Sequence, residues 1–244
     1  VVFGAGSTTD DIDGEMTPGE APVPDREAVE AALAGFRGPI EQIPPDHSAV
    51  HVGGKRAYQL ARGGEKPELA ARAVTIHGLD LTGWDTADPE RPMAELDVRC
   101  SAGTYIRSLA RDLGRQLGCG AYLGALTRTA SGPFVLEKAH SLEHAKAEMA
   151  AGRTESLLLS ADAGLDHLPM VRIPDRDREA IARGQIVRVR GEVSGPVAPA
   201  VVLEGASDVR VLDERGALVA MAHTKAGRLY PEKVFISPEE LTSA

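Results

Sequence analysis

Residues 94–118 constrain this chain more than any other stretch, because two periodicities meet there end to end. Ala94, Leu96, Val98 and Cys100 alternate with Glu95, Asp97 and Arg99, the two-residue period of a strand with one buried face. Ser101-Ala102-Gly103 turns the chain. Ile106, Leu109, Ala110, Leu113 and Leu117 then recur at helical spacing and form one apolar face. Thr104 is placed to cap that helix and Gly118 to end it, as hydroxyls and glycines commonly do.

The opposite face carries Arg107, Arg111 and Arg115, each four positions from the next. Like charges at that spacing repel by about 0.2–0.5 kcal/mol per pair unless something anionic lies among them. Arg107 also falls in the first turn, where the helix dipole disfavours a cation and attracts an anion. A carboxylate or phosphate partner explains that placement; a solvated basic face paired with Asp112 explains it equally well on physical grounds alone.

Length and composition narrow the setting. A chain of 244 residues suits one large domain and a small one. No apolar run approaches the roughly 20 residues of a membrane helix. Two cysteines, Cys100 and Cys119, make no disulfide framework and fit a reducing cytoplasm, with both read as small buried hydrophobes. The net charge of −9 is unevenly spread. Residues 1–50 hold 10 acidic and 2 basic side chains, whereas residues 51–130 hold 11 basic and 9 acidic. The middle segment is therefore free to present a basic groove to nucleic acid.

Elsewhere the pattern is plainer. The opening VVFGAGSTTDDIDGEM reads as a sheet segment. Thr9, Asp11, Asp13, Gly14 and Glu20 outline a calcium loop, but Pro18, Pro22 and Pro24 deny the helix that should follow. Asp25 caps a helix with Val29, Leu33 and Phe36 on its apolar face. Arg72–Thr82 reads as a strand, 82–92 as an exposed hairpin loop and Ser141–Met149 as a short helix. The texture changes at Leu168-Pro169, where a boundary is expected. Beyond it come a helix over Asp175–Arg183 and β-rich runs at Ile186–Val189, Val201–Leu203, Val209–Leu212, Leu218–Ala222 and Val234–Ile236, the pattern of a small barrel. His47 with His51, and His140 with His144, are each four apart, but neither pair has further ligands at the right spacing, so no metal is expected.

The run GTYIRSLARDLG followed by LGCGAYLGALTRTASGPF resembles the bacterial tRNA pseudouridine synthase B family. The family's G-T-Y-I-R motif falls on Gly103–Arg107, and its L-x-R-x-x-x-G-x-F run on Leu126, Arg128, Gly132 and Phe134. A second segment matches at Gln42, Pro44, Pro45, Ser48, Ala49, Gly54, Lys55, Tyr58, Ala61, Arg62 and Gly64. The family's G-x-x-T-x-T-x-D-x-x-G turn falls on Gly4–Gly14, with Ser7 for the first threonine. Two positions depart: His47 stands where the family has a base-stacking tyrosine, and His51 where it has a lysine. An imidazole still offers a π-face for a base.

What the resemblance implies is specific. The fold would be α+β, a mixed and mainly antiparallel central sheet with flanking helices over 1–168, followed by a PUA-like RNA-binding β-barrel over 169–244. The reaction would be conversion of uridine 55 in the tRNA T loop to pseudouridine, by base flipping and a carboxylate-assisted glycosidic break, with no cofactor. The partner would be tRNA and the chain a monomer. Arg107 would orient the catalytic aspartate, Tyr105 would pack under the base, and Leu126 would line the pocket. His47, Lys55, Arg62 and Arg128 would contact RNA. The family's G-H-x-G-x-L-D-P loop, which carries that aspartate, finds no match in residues 1–244. The expectation is therefore a synthase without its N-terminal portion, an inactive chain in which Arg107 lacks its partner. Two alternatives stay open: an inactive RNA-binding protein of the same fold, and a small-anion enzyme using the Arg107 helix terminus.

Overall fold

The computed structural model describes residues 1–196, 199–205 and 207–237. It divides into two compact units, Val1–Thr127 and Arg128–Ala244. The break thus falls about forty residues before the change of texture at Leu168-Pro169.

The first unit runs β1 (Val2–Phe3), β2 (Ala5–Ser7), β3 (Met16–Pro18), α1 (Arg26–Leu33), β4 (Gly38–Gln42), β5 (His51–Val52), β6 (Lys55–Arg56), α2 (Ala57–Arg62), β7 (Arg72–Asp85), β8 (Met93–Cys100), α3 (Ile106–Leu117) and β9 (Ala121–Tyr122). Its antiparallel sheet has the order β4-β7-β8-β1-β9. The strand expected over Arg72–Thr82 continues to Asp85, because Trp84 pairs with Ala94 across the β7–β8 hairpin and packs near Phe3. Alternation does the rest on β8, where Ala94, Leu96, Val98 and Cys100 turn inward.

Asp25 caps α1 as its sequence suggests, accepting a hydrogen bond from the Ala28 amide at 2.8 Å. α1 lies on α3 and β7, and Val29 and Leu33 meet Leu109, Leu113, Ile76, Leu79 and Phe3 in one core. Each fully buried side chain of that size contributes about 1.5–3 kcal/mol relative to exposure.

α3 differs from expectation at its start. Thr104 does not cap it: its hydroxyl donates back to the Ser101 carbonyl at 2.9 Å. Tyr105 occupies the cap position, and its amide is taken up by Gln42 Oε1 at 2.8 Å. At the other end Gly118 takes φ +74°, which glycine adopts without penalty.

The second unit holds β10 (Ala130–Ser131), β11 (Phe134–Val135), α4 (Leu142–Ala150), β12 (Met170–Arg172), α5 (Asp175–Ala182), β13 (Val187–Arg188), β14 (Val193–Ser194), α6 (Pro199–Glu204), β15 (Ser207–Leu212), β16 (Leu218–Lys225) and β17 (Arg228–Val234). Its six-stranded sheet has the order β13-β17-β16-β15-β12-β14, with β12 and β15 parallel and the other pairs antiparallel. Val171, Ile173, Ile181, Val209, Val211, Val219 and Leu229 form its core. Three expectations fail here. Val201–Leu203 is helix, since Pro199 sits in the first turn and Val202 is buried while α6 packs on β16; packing overrides the β preference of Val-Val. The run at Val234–Ile236 is only the end of β17, whose body is Arg228–Val234. The run at Ile186–Val189 shortens to Val187–Arg188. The architecture is α+β throughout, with mixed but mainly antiparallel sheets.

Candidate functional site

The polar face of α3 gathers two backbone segments. The first is the turn after β2. Leu123 donates to the Asp10 carbonyl at 3.0 Å and Ile12 donates to the Leu123 carbonyl at 3.0 Å. Asp10 is held at φ +62°, a region that Asn and Asp enter more readily than most residues. These bonds aim two successive carboxylates at α3. The second segment is the exit from β4. Ser108 Oγ and Arg111 Nη2 both donate to the Ile43 carbonyl at 2.8 Å, and Arg107 Nη2 donates to the His47 carbonyl at 2.9 Å.

Arg107 therefore has a partner within this chain, contrary to expectation. Its Nη1 donates to Asp11 Oδ2 at 3.0 Å and to the Thr9 carbonyl at 3.2 Å. The pair is half-buried, with side chains 26% and 22% exposed. One turn on, Arg111 pairs with Asp10 Oδ2 at 2.9 Å and Asp112 Oδ1 at 2.9 Å. Both readings of the arginine face thus apply: Asp112 serves Arg111 and lies 3.6 Å from Arg115, while Arg107 and Arg111 also reach carboxylates about a hundred positions away.

The two adjacent aspartates titrate in opposite directions. Burial pushes the Asp10 carboxyl above its ordinary range, and Arg111 offsets this only in part. Burial also works against the Asp11 carboxylate, but hydrogen bonds from Thr9, the Asp13 amide and Arg107 outweigh it and hold its pKa low. Burial disfavours the Arg111 cation, yet Asp112 and Asp10 raise its pKa overall. Arg107 with Asp11 and Arg111 with Asp10 thus form two neighbouring ion pairs, with Asp112 as a further carboxylate on Arg111. The arrangement fixes geometry; it leaves no unpaired cation at the helix start.

Beside these pairs lies a cleft of about 850 Å³, lined by Asp10, Ile43, Asp46, Lys66, Arg111 and Arg115 among others. His47 is half-buried, and its Nδ1 and the neighbouring Ser48 Oγ have no hydrogen-bond partner among the described residues. Tyr105 is half-buried at the α3 cap. Lys55, on β6, and Arg62, at the end of α2, are exposed, with the Arg62 guanidinium 5.6 Å from the centre of the Tyr58 ring. Leu126 is 59% exposed after β9. Arg128 is exposed and belongs to the second unit.

The structure thus joins Arg107, Tyr105 and the His47 backbone. It also adds Asp10, Asp11, Arg111 and Gln42, which the sequence reading did not assign to the site. The T-x-T-x-D pattern was the available signal for Asp11; for Asp10 only its acidity was visible. Asp11 is committed to Thr9, the Asp13 amide and Arg107. Cys119 is fully buried with its thiol pKa pushed up by burial, so it is a packing residue; Cys100 is half-buried against the same core.

Solved structures share this fold. A crystal structure of a Cbf5–Nop10–Gar1 complex superposes with a TM-score of 0.64 at 22% identity, over 91% of this chain and 65% of that one. An H/ACA RNP bound to a substrate RNA containing 2′-deoxyuridine gives 0.64 at 21%, over 90% and 63%. At the sequence level, residues 1–106 match the TruB family pseudouridylate synthase N-terminal domain, and residues 107–166 match the tRNA pseudouridylate synthase B C-terminal domain. The tRNA pseudouridine synthase B of Thiobacillus denitrificans is 43% identical over 206 residues, 84% of this chain and 63% of that protein. Those of Pseudomonas paraeruginosa and Bacillus licheniformis are 40% and 35% identical, over 96% and 98% of this chain and 73% and 77% of theirs. The chain belongs to the tRNA pseudouridine synthase B family. It spans roughly two thirds to three quarters of the length of these relatives.

Proposed function

We propose that this chain binds the T stem-loop of tRNA and takes part in converting uridine 55 to pseudouridine. The observation that carries the reading is Arg107, half-buried at the start of α3 and fixed by Asp11, Thr9 and His47 within the motif that the resemblance marks. In that reaction the bond between N1 and the sugar breaks, the sugar rejoins at C5, and the C5 proton leaves as N1 takes one up. No redox step or cofactor enters the balance. A flipped uridine would pack on Tyr105, with the His47 ring on hand to stack and Leu126 against the base. Lys55, Arg62 and Arg128 would meet phosphates. Arg107 would hold a carboxylate at the sugar. The reading assigns the attack to an aspartate of the G-H-x-G-x-L-D-P loop, which residues 1–244 do not contain.

Residues 169–244 would act as a PUA-like RNA-binding domain, and the whole as a cytoplasmic monomer. A small-anion site at the α3 start is the weaker reading, because Gln42 and Asp11 already occupy the Tyr105 amide and the Arg107 guanidinium. The test is a binding titration of this chain with a T-arm RNA hairpin and a scrambled hairpin of equal length. Clear preference for the T-arm hairpin is expected. Equal weak binding of both, or binding of inorganic phosphate alone, would overturn the reading.

A further inference from the structure

On the outward side of the second unit's sheet, Asp208 on β15, His223 on β16 and Glu232 on β17 each offer one ligand atom, and these atoms lie within 4.8 Å of one another. Asp208 and His223 are direct register partners, with His223 Nδ1 3.2 Å from Asp208 Oδ1. Glu232 arrives by a different device. The β16–β17 register runs His223 to Tyr230, Ala222 to Pro231 and then Met221 to Lys233. Glu232 is therefore the extra residue of a β-bulge, and bulges re-aim a side chain locally. Among the described residues the Glu232 side chain makes no hydrogen bond or ion pair, although Arg228 and Lys233 lie close in sequence. Two carboxylates converging on one imidazole, one of them without a cation, form a site short of positive charge.

We propose that Asp208, His223 and Glu232 bind a single divalent transition-metal ion of the zinc class, with the imidazole and both carboxylates as ligands and water in the remaining positions. Imidazole suits Zn²⁺ and its neighbours such as Ni²⁺ and Cu²⁺, whereas Ca²⁺ and Mg²⁺ prefer all-oxygen sets. An ion about 2.1 Å from each ligand holds them no more than about 4.2 Å apart. Closure thus needs only small rotations, and the Asp208 and His223 side chains are 67% and 33% exposed, free to make them. Three adjacent hydrogen-bonded strands supply the frame, so the ligands are placed without any loop closing. The site is independent of the chemistry at Arg107.

The chain, stripped with a chelator, should take up one Zn²⁺ per molecule in a calorimetric titration, and Co²⁺ should give a visible absorption band. Losing a residue that merely orients a metal ligand costs about 10–100-fold in affinity, so His223→Ala and Glu232→Gln should each weaken binding at least roughly tenfold. Their circular dichroism without metal should match the parent, since Glu232 is exposed and His223 lies half-exposed on the sheet face. No saturable uptake by the parent would overturn the proposal. So would undiminished uptake by His223→Ala, which would place the ion elsewhere, for example at the neighbouring His140 and His144 rings.

Discussion

Asp10 and Asp11 are neighbours in sequence and opposites in energetics. Asp11 is held below the ordinary carboxylate range. Such a group adds stability above the unfolded value of about 3.9 and loses it as pH falls through the folded value. Asp11→Asn should therefore cost about 1–2 kcal/mol at pH 7, the usual scale for a charged hydrogen-bonded group, and the deficit should close as pH drops below about 4. Asp10 is raised by burial, so its contribution is present below the unfolded value and fades as pH climbs through the folded one. Asparagine keeps the shape and tolerates φ +62°, so Asp10→Asn should cost less than Asp11→Asn at pH 7. Asp10→Ala should lose about 1–2 kcal/mol for its left-handed backbone. Urea denaturation of the three variants at neutral and acid pH checks the ordering; equal costs for the two asparagine variants at pH 7 would refute it.

At the scale of elements, α3 is the piece on which the first unit turns, and Gly114 lets it dock. Exposed helical glycines usually gain about 1 kcal/mol when changed to alanine. Here an added methyl would run into the backbone of Gly120 and Ala121, where the Gly120 amide donates to the Gly114 carbonyl at 3.1 Å. Gly114→Ala should destabilise by about 1–3 kcal/mol, as overpacking does, seen as a lower denaturation midpoint; a stabilised variant would mean the helix can back away from β9. The helix itself, its end at Gly118 and the alternation of β8 were readable because each depends on residues a few positions apart. Its start was not, because the acceptor for Tyr105 lies 63 positions back at Gln42. The same holds for Arg107 and Arg111, whose carboxylates come from a turn 96 and 101 positions earlier. α6 was missed for the complementary reason: Val201 and Val202 carry a strand preference that packing reverses. The Asp208–His223–Glu232 group needs a strand register and a bulge, and neither leaves a mark on spacing.

For the whole molecule, the proposed contact with RNA would rest on the uneven charge. Residues 51–130 are the one third of the chain where cations outnumber anions, and Lys55, Arg56, Arg62, Lys66 and Arg115 there are all exposed. Affinity for a T-arm hairpin should fall linearly in log–log form with salt. Neutralising only two phosphates already gives about tenfold between about 50 and 200 mM, so a flat response would remove this surface from the argument. Turnover is the harder question. Orienting a uridine without an attacking group leaves its glycosidic bond intact, and Arg107 supplies no nucleophile. The 244 residues alone should therefore bind the hairpin and release no tritium from uridine labelled at C5. Should tritium appear over several turnovers, the carboxylate must lie within these residues. Asp11 would then be the first suspect: it already touches Arg107, its low pKa keeps it ionised, and it is partly exposed. Asp10 is bound to Arg111 and more deeply buried. Under that outcome Asp11→Asn should abolish release while Asp10→Asn only slows it, and loss in both alike would point to collapse of the paired turn instead of to either carboxylate.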